Sequence, residues 1–289
     1  MVGSVDCVRL VVLNENTVKS GSKKLLAEHG LSMYVEAKKE NTVFRFLADV
    51  GQSGDVVLKN ALHMNVDLRS TEFIFISHGH YDHAGGLLNV VKSLGRVKVY
   101  VHPVAFKRRR FKIVKGKLSE STPEFREEDL KKSGAELVYI REPHEVFPGV
   151  VLSGEVKRYL PLEIKENYFV GEDETKLEPD MFLDDQSIYI NVKDKGLVVL
   201  TGCAHAGVVN ILMHAREVCN VKDIYAVVGG FHLEPLSDEK LSEVIQKLKE
   251  INPTLLYPCH CTGFEPIIKM REELGLKVKQ VTTGDVLEF

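Results

Sequence analysis

The stretch Ser77-His78-Gly79-His80-Tyr81-Asp82-His83-Ala84-Gly85-Gly86 follows directly on the apolar run Phe73-Ile74-Phe75-Ile76. That run is short and rich in β-formers, which predicts a buried strand. Three histidines and one aspartate then fall within six positions just past its end. Loops at the carboxyl ends of strands are where layered α/β proteins build their sites. Gly79 permits a tight backbone and lets the imidazoles of His78 and His80 point the same way. Asp82 and His83 then face away from that pair and can serve a second position. A helix is expected to start near Ala84. Neutral imidazole and carboxylate are preferred ligands for zinc and similar ions. Four such groups at this density are costly to desolvate without a cation. A set rich in His and Asp also tends to keep a position open for water, whereas structural zinc is usually closed by cysteine.

Outward from this motif the chain divides into two halves. Residues 5–13 read as a strand, and 31–37 with Thr42–Ala48 read as a hairpin around the polar turn Lys38-Lys39-Glu40-Asn41. Asp55–His63 and Leu87–Leu94 have helical character, and Val97–Val101 reads as a strand. Residues 103–135 read as irregular and highly charged. Segments 136–140, 146–153, 187–193 and 197–201 are β-rich. Helices near 206–219, 238–251 and 265–274 then alternate with strands 223–228, 254–257 and 277–282. In the helix at 238–251, Ser237 is a good N-cap and Asp238 and Glu239 sit in the positive first turn. Leu241, Val244, Ile245, Leu248 and Ile251 share its buried face. A hairpin-rich half followed by a β/α-alternating half predicts a layered α/β protein with mixed sheets.

Composition narrows the function classes. The 289 residues are 44% hydrophobic and 27% charged, a length that allows one large domain or two small ones. The 38 basic and 41 acidic residues leave a net charge of −3, so there is no global footprint for nucleic acid or a membrane surface. No apolar run approaches the ~20 residues of a spanning helix, and the N-terminus lacks a signal-peptide pattern. Five cysteines at irregular spacing do not form a disulfide framework. A reducing, cytoplasmic setting is expected. One local feature breaks the neutrality: Lys107, Arg108, Arg109, Arg110, Lys112, Lys115 and Lys117. The run reads either as a solvated loop or as an anion-steering rim, with Arg108, Arg109 and Arg110 binding a small phosphorylated substrate. With only Phe106 and Phe111 interleaved, a nucleic-acid partner is the weaker reading. Nothing in the sequence indicates the oligomeric state.

The run His78-Gly79-His80-Tyr81-Asp82-His83 after an apolar strand resembles the HxHxDH signature of the metallo-β-lactamase superfamily. Leu47-Ala48-Asp49-Val50-Gly51, Thr201-Gly202-Cys203-Ala204-His205 and Tyr257-Pro258-Cys259-His260 resemble its other site-bearing strand ends. Glu28-His29-Gly30-Leu31-Ser32, Asn60-Ala61, Asp184-Asp185-Gln186, Gly229-Gly230-Phe231-His232-Leu233 and Cys259-His260-Cys261-Thr262-Gly263 add a narrower resemblance. It is to the 7,8-dihydropterin-6-yl-methyl-4-(β-D-ribofuranosyl)aminobenzene 5′-phosphate synthase-like group. The implied fold is an αββα four-layer sandwich of two mixed β-sheets, with residues 1–289 as one domain carrying a charged insertion around 105–132. The site would lie at one edge of the sheets.

The resemblance implies two divalent metal ions, zinc first, with magnesium, manganese or iron as alternatives. His78 and His80 would hold one ion, and Asp82, His83 and His260 the other. The chain departs from the superfamily pattern at two places. The strand region 150–155 has no histidine for the first ion, and Gly202-Cys203 stands where the pattern has Gly-Asp. His205 is the expected replacement imidazole. Cys203 is either a metal thiolate or a small buried core cysteine. Asp49 is the expected carboxylate that orients a ligand histidine. Asp82 and His232 are the candidate catalytic groups, with His232 and His29 lining the pocket; Cys259 and Cys261 straddle His260, and their side chains are expected to point away from that ring. The implied activity is that of a metal-dependent hydrolase or transferase on a phosphorylated or pterin-like small molecule. A metal-dependent ribonuclease or phosphodiesterase and a non-catalytic metal sensor are the alternatives.

Overall fold

The computed structural model describes residues 2–161 and 167–289. A seven-stranded sheet runs in the order Val286–Glu288, Cys7–Asn14, Ser32–Lys39, Thr42–Ala48, Phe73–Phe75, Val97–Val101, Ala135–Tyr139. It is antiparallel up to Thr42–Ala48 and parallel beyond. A six-stranded sheet runs Leu255–Cys259, Ile224–Gly230, Gly196–Thr201, Ser187–Val192, Val150–Leu152, His144–Phe147. Its first three strands are parallel and the rest antiparallel.

Alternation along the strands explains the layers. Phe73 and Phe75 face inward with Val8, Leu10 and Phe46, against Leu152, Ile188, Ile190, Val198 and Val228 of the second sheet. Ile74 and Ile76 face outward, under the helices Asp55–His63 and Leu87–Leu94. On the other side Val199, Val227 and Leu256 pack beneath Val208–Cys219, Asp238–Ile251 and Phe264–Leu274. Side chains of period two therefore bury both faces of each sheet, giving the αββα order that the sequence implied. The helix Asp238–Ile251 has the expected cap, with Ser237 accepting from Lys240 N, and buries Leu241, Val244, Ile245 and Leu248.

Four expectations need correction. Residues 103–135 are not irregular: Arg109–Val114 and Lys117–Glu120 form a hairpin, and Glu127–Lys132 is a helix. The hairpin joins Tyr168–Gly171 and Leu177–Pro179 in a third, four-stranded antiparallel sheet. Its pairing partners lie far along the chain, so its local charge alternation masked it. Residues 146–153 are two strands folded back at Pro148-Gly149. Residues 277–282 form no strand beyond a bridge of Val278 to Leu256, because Pro258 in the neighbouring strand has no N–H for a ladder. The C-terminal strand is Val286–Glu288 instead. The motif helix starts earlier than Ala84, at Tyr81–Ala84. No helix among the described residues is long and apolar enough to cross a membrane.

Candidate metal centre

The site forms where both large sheets end at one edge. Strand Phe73–Phe75 delivers His78 and His80, and the short helix Tyr81–Ala84 carries Asp82 and His83. Strand Gly196–Thr201 ends before Cys203 and His205, and Leu255–Cys259 ends before His260. Ligand-type atoms gather in two main groups, His78, His80 and His205, and Asp82, His83, Cys203 and His260, with His232 in a third, overlapping set beside Cys203 and His205. The two main groups are those expected from the sequence, including His205 as the replacement imidazole and Cys203 beside the second set. All seven of their residues are buried.

Outer hydrogen bonds turn the bare ring nitrogens toward the cluster. His83 Nδ1–H donates to Asp49 Oδ2 at 2.7 Å. His260 Nδ1–H donates to Asn16 Oδ1 at 2.9 Å. His78 Nδ1–H donates to Ser77 Oγ at 3.0 Å, and that hydroxyl donates to Asp49 Oδ2 at 2.7 Å. Asp49 therefore orients two histidines at once, as the partner of a ligand imidazole does. The Nε2 atoms of His78 and His260 are left with lone pairs facing inward, and His83 Nε2 faces the same way.

Those lone pairs face one another. His80 Nδ1 is 3.0 Å from His78 Nε2 and 3.2 Å from His205 Nε2. His83 Nε2 is 3.1 Å from His260 Nε2 and 3.0 Å from Cys203 Sγ. Asp82 Oδ2 is 3.2 Å from His260 Nε2. The nitrogen separations approach the ~3.3 Å edge of a tetrahedron with ~2.05 Å metal–nitrogen bonds. Burial holds His78, His80 and His205 well below the ordinary imidazole value, so all three are neutral and ready to ligate. Neutral rings cannot satisfy so many converging acceptors among themselves, whereas cations can. The donor set thus fits divalent metal ions.

The second group carries compensating charge. Burial opposes ionisation of Asp82, but His83, His260 and His29 outweigh it and hold the carboxyl well below its usual range. Burial also pulls His83 down, yet Asp49 and Asp82 raise it to about 9. Burial pushes the Cys203 thiol well up, a position that only a bound cation reverses.

The supporting contacts explain several motifs. Gly79 N donates to Asp184 Oδ2 (2.8 Å), Gln186 N to Ser77 O (2.9 Å) and Ala206 N to Asp185 Oδ2 (2.9 Å). Asp184-Asp185-Gln186 thus clamps both ligand loops from below. Gly79 is required by close approach: a Cβ there would lie 2.0 Å from Ala105 O. Asp49, Ala204, His232 and His260 hold left-handed backbone with φ of 57°, 61°, 49° and 52°, a strain that collects at functional loops.

The cavity over the centre measures about 150 Å³ and is lined by His29, Tyr81, Lys112, Tyr168, His232 and Glu234 among others. His232 and His29 line it as expected; His29 Nε2 sits 3.2 Å from Asp82 Oδ2, and Tyr168 OH is 3.2 Å from His232 Nε2. Arg108, Arg109 and Arg110 do not reach the lining. Arg108 pairs with Glu178 and Arg109 with Glu120. Arg110 is 3% exposed and clasped by Asp180 (2.6 Å) and Asp184 (2.8 Å). Cys259 is in the core, and Cys261 lines the cavity. Residues 260–262 coil as a 3₁₀ turn, so strand alternation no longer applies. His102 is buried against Glu155, His214 against Tyr189, and His63 and His144 are exposed. Sequence reading missed Asn16, Ser77 and Tyr168. For Asn16 the signal was the polar Asn14-Glu15-Asn16 run at the end of the first long strand.

Comparisons agree with this geometry. The family model of the metallo-β-lactamase superfamily matches residues 61–179. A solved structure reported as a metal-dependent hydrolase of the β-lactamase superfamily superposes with a TM-score of 0.81 at 29% identity, covering 98% of this chain and 99% of its own. The chain therefore belongs to the metallo-β-lactamase superfamily. Among curated relatives it is 27% identical to the 7,8-dihydropterin-6-methyl-4-(β-D-ribofuranosyl)-aminobenzene-5′-phosphate synthase of Methanocaldococcus jannaschii, over 100% of this chain and 99% of that protein. It is 31% identical to an uncharacterised protein of the same organism, over 90% of this chain and 93% of that one.

Proposed function

We propose that the chain is a dinuclear metal-dependent enzyme acting on a phosphorylated or pterin-like small molecule, by hydrolysis or by group transfer. One observation carries the reading: two sets of buried ligand atoms meet at the floor of one cavity. The synthase and hydrolase names of its relatives support the two reaction types. His78, His80 and His205 would hold one ion, and Asp82, His83, Cys203 and His260 the other. Such ions polarise a phosphoryl or carbonyl oxygen and acidify water.

The chain's own groups supply positioning and proton movement. Asp82 faces the cavity floor with His29 Nε2 3.2 Å away. The half-exposed His29 thus holds the Asp82 carboxylate from the solvent side. Across the cavity, Tyr168 OH donates to His232 Nε2, fixing that ring on the wall where a leaving group would need a proton. Burial raises the Tyr168 phenol, which keeps it a donor at neutral pH. Tyr168 and Tyr81 both add ring surface to the cavity lining.

The test is a screen of metal-reconstituted protein against phosphodiesters, lactones, thioesters, and a pterin diphosphate with an arylamine. Turnover by addition of water, or by attack of the amine nitrogen with diphosphate leaving, separates hydrolysis from transfer. A fully metallated protein that turns over none of these would overturn the proposed substrate class.

A further inference from the structure

The hairpin Arg109–Val114/Lys117–Glu120 contributes a feature that the metal reading does not use. Each arginine of the basic stretch is engaged by a carboxylate. Lys112 is different: it lines the cavity, and among the described residues no carboxylate lies within ion-pair distance of it. Its ammonium stands 5.9 Å from the Tyr81 ring centre. Ser121 lines the same cavity and is 2% exposed. Its backbone is satisfied, with N donating to Arg110 O (2.8 Å) and O accepting from Tyr81 N (2.9 Å). Its hydroxyl is buried and has no partner. Buried hydroxyls in native proteins are nearly always paired, so an unpaired one points to a missing partner.

Register shows where that partner would sit. Lys112 pairs with Ser119 and Phe111 with Glu120. Continuing that register sets Ser121 opposite Arg110, so Lys112 and Ser121 share a face as diagonal neighbours about 7–8 Å apart. We infer that Lys112 and Ser121 form an oxyanion subsite that takes the phosphoryl group of the substrate, beside the metal centre. The inference rests on the proposed metal-enzyme reading for the rest of the cavity. A flexible ammonium binds a phosphoryl dianion as a point charge and lacks the planar fork that grips a carboxylate bidentately. The arginines here are committed elsewhere. The enclosed volume of about 150 Å³ admits a phosphoryl group, while drug-sized ligands need roughly 300 Å³ or more. The remainder of the substrate therefore extends out past the tyrosines.

Inorganic diphosphate is the probe, followed by calorimetry and ³¹P line broadening on zinc-reconstituted and on chelated protein, with acetate as the carboxylate arm. Lys112→Gln should weaken diphosphate binding about 10- to 100-fold, the worth of a charge-assisted hydrogen bond. Ser121→Ala should weaken it about five- to tenfold. Lys112→Arg should restore most of the loss, and Arg109→Gln, on the same hairpin but outside the cavity, should change nothing. Metal content should be the same in all four. Fully metallated Lys112→Gln and Ser121→Ala proteins that bind diphosphate as the wild type does would overturn the subsite and leave the metal reading standing. Lys112-dependent binding by a chain that retains no metal under any loading would do the reverse. Acetate binding that falls as steeply as diphosphate binding would also overturn the phosphoryl assignment.

Discussion

Asp49→Asn isolates the role of the carboxylate beneath the metal centre. Asp49 is buried, accepts from Ser77 N and Ser77 OH at 2.7 Å, and accepts from His83 Nδ1–H at 2.7 Å. Its φ of 57° suits asparagine, one of the residues that enter left-handed backbone readily, so the backbone should survive. The amide nitrogen cannot accept, and the charge that holds His83 in place is gone. Replacing such an orienting carboxylate typically costs 10- to 100-fold in metal affinity, or about 1.4–2.7 kcal/mol. One effect runs the other way. In metal-free protein Asp49 and Asp82 together raise His83 to about 9, so near pH 7 a metal must displace a proton that the variant, left with Asp82 alone, holds less tightly. That relief, at most about two pH units, offsets part of the penalty at pH 7. The comparison therefore belongs at pH 9.5, in a zinc-buffered competition with a chromophoric chelator. There the variant should bind the second equivalent 10- to 100-fold more weakly, and at pH 7 the gap should shrink. Ser77→Ala, which breaks the link to His78 alone, should spare the second equivalent. Equal affinities of folded wild type and Asp49→Asn at pH 9.5 would refute the orienting role.

The same histidine predicts the stability of chelated protein. Its folded pKa of about 9 exceeds the unfolded ~6.5, so the contribution is complete below pH 6.5 and is lost as pH rises through about 9. The amount is on the order of 3 kcal/mol; urea unfolding at pH 6.5 and 9.5 should show it, and Asp49→Asn should flatten the difference. Elemental analysis should find two divalent ions per chain, and His80→Ala or Asp82→Asn should abolish activity without unfolding the protein. His205→Ala should lose one ion; retention of both with a full rate would pass its place to His232, which lies within reach of Cys203 and His205. Arg110→Met should cost about 3–5 kcal/mol by chemical denaturation, because two buried carboxylates lose their cation. Gly79→Ala should lower both the melting temperature and the metal content, since its Cβ would meet Ala105 O.

What the sequence made legible was local. Helices Asp55–His63 and Leu87–Leu94 follow from the character of one segment, and Asp238–Ile251 from its apolar spacing and its Ser237 cap. The ligand run at 78–83 was legible because imidazoles and a carboxylate crowded so closely are costly to bury without a cation. His205 could be read because a gap in a pattern pointed to a neighbour. The third sheet was not legible, since Tyr168 pairs with Lys112 across more than fifty intervening residues and no local signal encodes that register. For the same reason the arginines read as a solvent-facing rim. Only the fold brings Asp180 and Asp184 onto Arg110. Ser77 and Asn16 act through direction rather than residue type, and direction is a property of the assembled loops.

The second ligand group joins residues 82–83, 203 and 260, with a separation of 177 in sequence from His83 to His260. Contacts so distant in sequence form late, after loop closure has been met by other structure. The partial group at 78–83 is complete early in synthesis but has neither Cys203 nor His260 to close it. Metal capture is in this sense an inspection of the finished chain: an ion held at full affinity certifies that both sheets have docked. If the proposed centre is the reactive one, reactivity would thereby be withheld from nascent and misfolded forms, and loss of the ion should be among the first reports of damage anywhere along the seam.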